Sequence, residues 1–313
     1  MDDANGTIFT DFILMGFTSF SRFHTLLFTV LLSIYSITLA GNVAIILVTW
    51  LDPHLYKPMY FFLGNLSFLD ICYTSSTVPK MLETILSEKK TISYTGCVIQ
   101  LYTFFSFVGT ECVLLAAMSY DRYVAICKPL LYHSIMKHTV CFGLASFSWL
   151  SGFMNSVLHT TLVFRLPFCS SNKVNYFFCD IPPLLSLACS DTSLNKMMLL
   201  IIGVFIAWTP FLCIIVSYVF IISSILKMRS GSGSRKAFST CASHLTVVIL
   251  FYGSCIFNYL QTFASGTLDK DHLLSAFYSF VTPMLNPVIY TLKNQEVKLA
   301  LKKAFFSKGL FSQ

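Results

Sequence analysis

Seven separate stretches of this chain, each about 20 residues or longer, are almost wholly apolar. They lie near 25–50, 58–81, 97–120, 140–162, 197–226, 237–260 and 272–292. Wound as a helix rising about 1.5 Å per residue, such a run spans the roughly 30 Å hydrocarbon core of a bilayer. Inside that core every backbone N–H and C=O must be paired within the segment, which a helix alone achieves for a single run. The expected fold is therefore an all-α membrane protein: a seven-transmembrane helix bundle with a short C-terminal amphipathic helix. The fifth run is the longest and is expected to tilt or to project into water. Composition agrees, with 55% of residues hydrophobic and 11% charged, against about a quarter charged in soluble domains. No internal repeat, low-complexity linker or separate soluble domain is visible. The 313 residues read as one domain, with 1–24 ahead of the bundle, 25–292 forming it and 293–313 as a tail.

The net charge of +7 does not point to nucleic acid, because the basic residues are spread between apolar runs rather than gathered in a patch. Their distribution does orient the bundle. With the N-terminus outside, thirteen of the 21 Lys and Arg fall on the inner side and eight on the outer, the bias expected of cytoplasmic loops. The sequon Asn5-Gly6-Thr7 favours the same orientation as a glycosylation acceptor. Met1-Asp2-Asp3 lacks the basic lead of a cleavable signal peptide, so the first apolar run is expected to serve as the membrane signal. In the tail "KNQEVKLALKKAFF", Val297, Leu301, Ala304 and Phe305 share one helical face, with Lys298, Lys302 and Lys303 around the other. That pattern suits a short helix lying on an anionic inner leaflet.

Of the eleven cysteines, Cys72, Cys112, Cys141, Cys213 and Cys255 lie within spans, where a free thiol acts as a small apolar filler. Cys127 and Cys241 lie at or near the inner side. Cys97, Cys169, Cys179 and Cys189 lie on the outer side. Four cysteines allow three pairings, and spacing does not choose among them.

Six motifs in order carry a resemblance over nearly the whole chain: "GN" at Gly41-Asn42, "PMYFFLGNLSFLD" at 58–70, "MSYDRYVAICKPLLY" at 118–132, "SY" at Ser217-Tyr218, "KAFSTCASHLTVV" at 236–248 and "PMLNPVIYTLKN" at 283–294. The chain resembles a rhodopsin-like (class A) G-protein-coupled receptor, and more narrowly a vertebrate olfactory receptor. It departs from that pattern at Tyr56 and Lys57, where the family usually has His and Thr, and at Ser119, which replaces a common Ala.

The resemblance implies particular roles. It pairs Cys97 with Cys179 and leaves Cys169 to Cys189, pinning a long loop over the helical mouth. It makes Asp121, Arg122 and Tyr123 a coupling latch, with Asp121 holding Arg122 at rest and Tyr218 and Tyr290 approaching it on activation. Asn286 and Pro287 belong to the same switch. Many relatives lock the arginine with an acid low on the sixth helix, but residues 235–250 contain none. His244 lies there instead, either as a polar switch or as a packing residue.

Asp70 and Glu111 are ionisable groups inside spans, and such groups are read as functional by default. Structural hydrogen bonding is the alternative. Two carboxylates in a low-dielectric space need a cation or a proton between them, and the resemblance implies an allosteric sodium ion there, near Asn286. For the ligand it implies Phe104, Phe105, Val108 and Cys112 on the third helix, Ile202, Gly203 and Ile206 on the fifth, Tyr252, Cys255, Ile256 and Tyr259 on the sixth, and Ser279 on the seventh. Periodicity alone would leave these as packing. No carboxylate or Lys lies among them, and Phe104 stands where amine receptors carry an acid. The implied partners are a small, uncharged, largely apolar volatile odorant, a stimulatory olfactory-type G protein raising cyclic AMP, and the bilayer of the plasma membrane.

The alternative is a class A receptor for another small lipid-like or metabolite ligand outside the nose. A transporter would show repeats and broken helices. An enzyme would need a nucleophile with its base, a metal-ligand spacing or a phosphate loop, and none stands out.

Overall fold

Each apolar run forms a helix. Helix one spans His24–Leu51, helix two Pro58–Leu86, helix three Tyr94–Cys127 and helix four His138–Phe164. Helix five runs through Ser193–Gly203, a π-helical turn Val204–Trp208 and Thr209–Lys227. Helix six is Ser232–Ala264, helix seven Asp271–Lys293, and a terminal helix follows at Gln295–Phe306. The structure is a computed structural model that describes residues 10–16, 23–169, 171–227, 232–264, 271–293 and 295–306; the side chains of 232–236, 257–264, 271–279, 292–293, 295 and 304–306 are not among those described. Asn5, Tyr259 and Ser279 therefore lie outside the described side chains.

Helices one, three, four, five and six are long and apolar enough to cross a membrane by length and composition. Helix two is less apolar because it turns Asp70, Thr74, Thr77 and Thr84 into the bundle, where all four are buried. The outward faces are the reverse of a soluble protein's: Leu26, Trp50, Phe147, Met154, Phe205 and Leu226 are all exposed. Apolar surface on this scale is a lipid-facing surface.

Helix three is the most buried span and packs most extensively on helix four. Gly152 permits the approach: a Cβ there would land on the Thr110 side chain and the Ser106 carbonyl, and 2.6 Å from the Thr110 backbone nitrogen. Helices one and seven also meet closely, with a Cβ on Gly41 falling 3.0 Å from Cβ of Pro287. Pro287 has no N–H to give the Pro283 carbonyl four residues earlier. Asn42 supplies the donor instead, its Nδ2 reaching Pro283 O at 3.3 Å. A buried orphan carbonyl would cost about 1–3 kcal/mol, so the Gly41-Asn42 pair makes a proline in helix seven tolerable.

At the disulfide end a three-stranded sheet covers the bundle in the order β2-β1-β3. Strand β1 (Asp11–Leu14) pairs antiparallel with β2 (Thr91–Ser93), Phe12 opposite Ile92, and parallel with β3 (Lys173–Val174). Alternation sends Phe12 and Leu14 fully inward, and Phe12 stacks on Tyr94 at 6.0 Å. At the opposite end the terminal helix buries Val297 and Ala300 and leaves Lys298, Lys302 and Lys303 exposed. Its Glu296 takes hydrogen bonds from Lys57 at 2.8 Å and Tyr60 at 2.9 Å. Lys57, one of the departures from the family pattern, thus ties the terminal helix to the start of helix two.

Candidate functional site

Four constellations follow one another down the bundle. Uppermost is the lid. Cys97–Cys179 and Cys169–Cys189 are the two disulfides, with Cα atoms 5.5 and 5.9 Å apart. Cys179 N donates to Gln100 Oε1 at 2.9 Å. Phe178 lies with its ring 4.9 Å from Phe104 and 6.2 Å from Phe280. Asp180 caps a short helix, Ile181–Leu185, through Ile181 N at 2.7 Å. Burial pushes its carboxyl up to about 6, against the lowering effect of that hydrogen bond.

Beneath the lid, helices three, four, five and six line a partly open cavity of about 300 Å3. Phe105, Val108, Cys112, Gly203, Ile206, Tyr252, Cys255 and Ile256 line it, as the resemblance implies. Phe104 does not. It packs against Tyr73 at 5.3 Å and Phe178, because one residue's step of about 100° separates it from Phe105. Ile202 also misses the wall. Helix five lines the cavity with Leu199, Leu200, Gly203, Ile206, Ala207, Trp208 and Phe211, running through the π-turn, and Ile202 is not among them. Sequence reasoning missed Asn155 and His159 of helix four, which also line the cavity. The signal was present: two polar residues at i and i+4 in an apolar run share a face. The Tyr252 hydroxyl is directed at the Cys112 carbonyl, 3.4 Å away.

At mid-depth, Asn286 Nδ2 donates to both oxygens of buried Asp70, at 3.2 and 3.0 Å. Glu111 lies within electrostatic reach of Asp70. Among the described residues, Glu111 Oε1, Asn286 Oδ1 and the Tyr290 hydroxyl are buried without a hydrogen-bond partner. Unpaired buried acceptors beside two carboxylates are what a small hard cation would satisfy. Among the described residues no three His, Cys, Asp or Glu side chains converge to hold a metal. A cation here would thus rest on two carboxylates and neutral oxygens.

The lower end holds the motif residues. Helix three continues to Cys127, so Asp121-Arg122-Tyr123 lies inside the helix rather than at its terminus. The expected Asp121–Arg122 ion pair is not formed. The Asp121 carboxylate takes a 2.8 Å hydrogen bond from Tyr132, the last residue of the same motif, on a short helix beyond the turn. Burial, and then the adjacent Asp121 carboxylate, raise the Tyr132 phenol above its ordinary range. A phenol placed eleven residues on supplies the direct hydrogen bond to the acid, while Arg122 stays within electrostatic reach of Asp121 without closing an ion pair. Arg122 has Tyr218, His244 and Tyr290 within electrostatic reach. Tyr123 packs against Phe220 at 6.0 Å and lies under Lys128.

His244 joins three helices. Its Nε2 lies 3.2 Å from the Leu115 carbonyl and its Nδ1 2.8 Å from the Tyr218 hydroxyl. A carbonyl only accepts, so Nε2 carries a proton and donates to Leu115. In the neutral ring Nδ1 then accepts from Tyr218. His244 is therefore a polar tie among helices three, five and six as well as a packed residue.

The bundle thus carries a largely apolar cavity towards one end and, at the other, an arginine with Tyr218 and Tyr290 within electrostatic reach. Comparison with known proteins decides the family: the olfactory receptor family profile matches residues 31–308. The chain belongs to the olfactory receptor family. It is 48% identical to human olfactory receptor 5I1 over 306 residues, 98% of both chains. It is 50% identical to mouse olfactory receptor 2C1 over 290 residues, 93% of both. It is 47% identical to the dog olfactory receptor-like protein OLF1 over 302 residues, 96% of this chain and 97% of that one. As an olfactory receptor it is a multi-pass membrane protein of the G-protein-coupled class and not an enzyme.

Proposed function

We propose that this receptor binds small, uncharged, largely apolar volatile odorants in the cavity of helices three to six. Occupancy activates a stimulatory olfactory-type G protein at the Arg122 end and raises cyclic AMP. The observation that carries the ligand reading is the wall of the cavity: aliphatic, aromatic and thiol side chains with a few neutral polar groups, and no Asp, Glu, Lys or Arg. A volume of about 300 Å3 sits at the small end of ligand pockets. Apolar burial contributes about 25 cal/mol per Å2, so affinity for so small a ligand is on the order of micromolar, near −8 kcal/mol.

The Lys and Arg bias supports an orientation with the N-terminus and lid outside and Arg122 in the cytosol, which epitope tags at the two termini of intact cells would read. Asp70, Glu111 and Asn286 would hold a sodium ion at rest, supplying the charge that lets both carboxylates stay ionised. The decisive experiment is a cyclic-AMP screen of cells expressing the receptor over neutral volatiles, repeated with Val108→Phe. Neutral volatiles should raise cyclic AMP, and the added ring should abolish the response to the bulkier ones. A response only to charged ligands, or agonist curves untouched by Val108→Phe at matched surface expression, would refute the cavity assignment.

A further inference from the structure

We infer that Asn155 and His159 form a polar anchor in the cavity that selects ligands bearing a hydroxyl group, the alcohols and phenols. The inference rests on the odorant-cavity reading and names the ligand class that the cavity prefers. Both residues line the wall, one helical turn apart on the same face of helix four. His159 is 4% exposed. Among the described residues its ring nitrogens have no hydrogen-bond partner, and neither does the Asn155 amide; the ring contact of His159 is with Phe105, at 6.0 Å. Space for the amide comes from Gly109 across the seam, where a Cβ would stand 3.3 Å from Asn155 Nδ2.

Polar groups left unpaired in an apolar cavity are costly, so a ligand that pairs them binds with that cost removed. The donor and acceptor inventory then discriminates. A neutral imidazole offers one donor and one acceptor, and an amide offers two donors and a carbonyl acceptor. A hydroxyl both donates and accepts at one atom, so one ligand oxygen can serve both residues. An ether only accepts and leaves an acceptor on helix four unpaired. A hydrocarbon pairs with neither, and a charged amine finds no carboxylate in the wall. The Tyr252 hydroxyl is directed at the Cys112 carbonyl, which leaves helix four as the free polar edge.

The test uses isomeric pairs that differ in the hydroxyl alone: octanol with methoxyheptane, and para-ethylphenol with para-methylanisole. Cyclic AMP is read in cells expressing the full receptor, and each result is the ratio of ether to alcohol half-maximal concentrations, which is independent of expression level. The intact receptor should prefer the hydroxyl isomer by about tenfold, the value of one or two net hydrogen bonds. His159→Phe, which keeps the ring, and Asn155→Leu should each bring the ratio towards one. Ethers as potent as their alcohols, or a preference that survives both substitutions, would overturn the anchor while leaving the cavity reading intact. If no member of any pair, and no other neutral volatile, raises cyclic AMP, the cavity reading fails and the anchor with it. Should His159→Phe not reach the surface, the intact receptor's ratio and Asn155→Leu decide the matter.

Discussion

Replacing His244 by Phe should raise signalling in the absence of any agonist. The tie it removes consists of two hydrogen bonds, Nε2 to the Leu115 carbonyl at 3.2 Å and the Tyr218 hydroxyl to Nδ1 at 2.8 Å. The loss is close to their net worth, about 1 kcal/mol each, because no partner is stranded. The Tyr218 hydroxyl, released from Nδ1, can turn its one proton to the Cys241 carbonyl at 3.3 Å, and the Leu115 carbonyl lies within helix three, where the backbone ladder serves it. Phenylalanine also retains the packing of a ring that lies 5.8 Å from that of Tyr218 at an angle of 7°. The substitution therefore removes about 2 kcal/mol of restraint among helices three, five and six with little change in shape.

If that restraint favours the resting arrangement over the active one, the ratio of the two shifts by roughly tenfold to thirtyfold. A receptor that is about 1% active at rest would become about 10–25% active by that arithmetic. The assay is agonist-free cyclic AMP, normalised to receptor at the surface. His244→Gln, which keeps a donor for Leu115, should fall between wild type and His244→Phe. Unchanged or reduced basal cyclic AMP at equal surface density would show that the tie does not distinguish the two states, and His244 would be reduced to packing.

Cys97→Ser should remove a bond closing a loop of sequence separation 82, worth about 4–5 kcal/mol on the chain-entropy account; surface expression should collapse, and a normally trafficked variant would refute the assignment of this bond as essential. Asp70→Asn removes one of the two carboxylates, so substituting choline for sodium should no longer alter basal cyclic AMP; a sodium response that persists places the cation elsewhere.

The spans were legible because a bilayer imposes one requirement, a continuous apolar run, that can be read without knowing the neighbours. What each polar residue in those runs touches was not legible in the same way. Asp121 and Arg122 are adjacent in sequence, and the family resemblance implied a pair. Consecutive helix residues diverge by about 100°, and the acid found Tyr132 across a turn instead. Phe104 and Phe105 diverge likewise, and only the second reaches the cavity. The pairing of Lys57 with Glu296 joins residues 239 apart, a contact that exists only once the terminal helix has folded back. Asn155 and His159 could have been suspected from composition, since a polar pair inside a span demands a partner. Helix four's other polar groups show why suspicion would not have sufficed. Ser148 bonds its own helix at the Leu144 carbonyl, and Ser156 reaches the Tyr102 carbonyl of helix three. Amides elsewhere in the bundle do the same, Asn42 on the Thr38 carbonyl and Asn65 on the Phe61 carbonyl, so the character of a side chain does not by itself say whether it will face a cavity. Ser148 and Ser156 thus spend their hydroxyls on backbone carbonyls, whereas Asn155 and His159 face the cavity, where a ligand is the partner on offer.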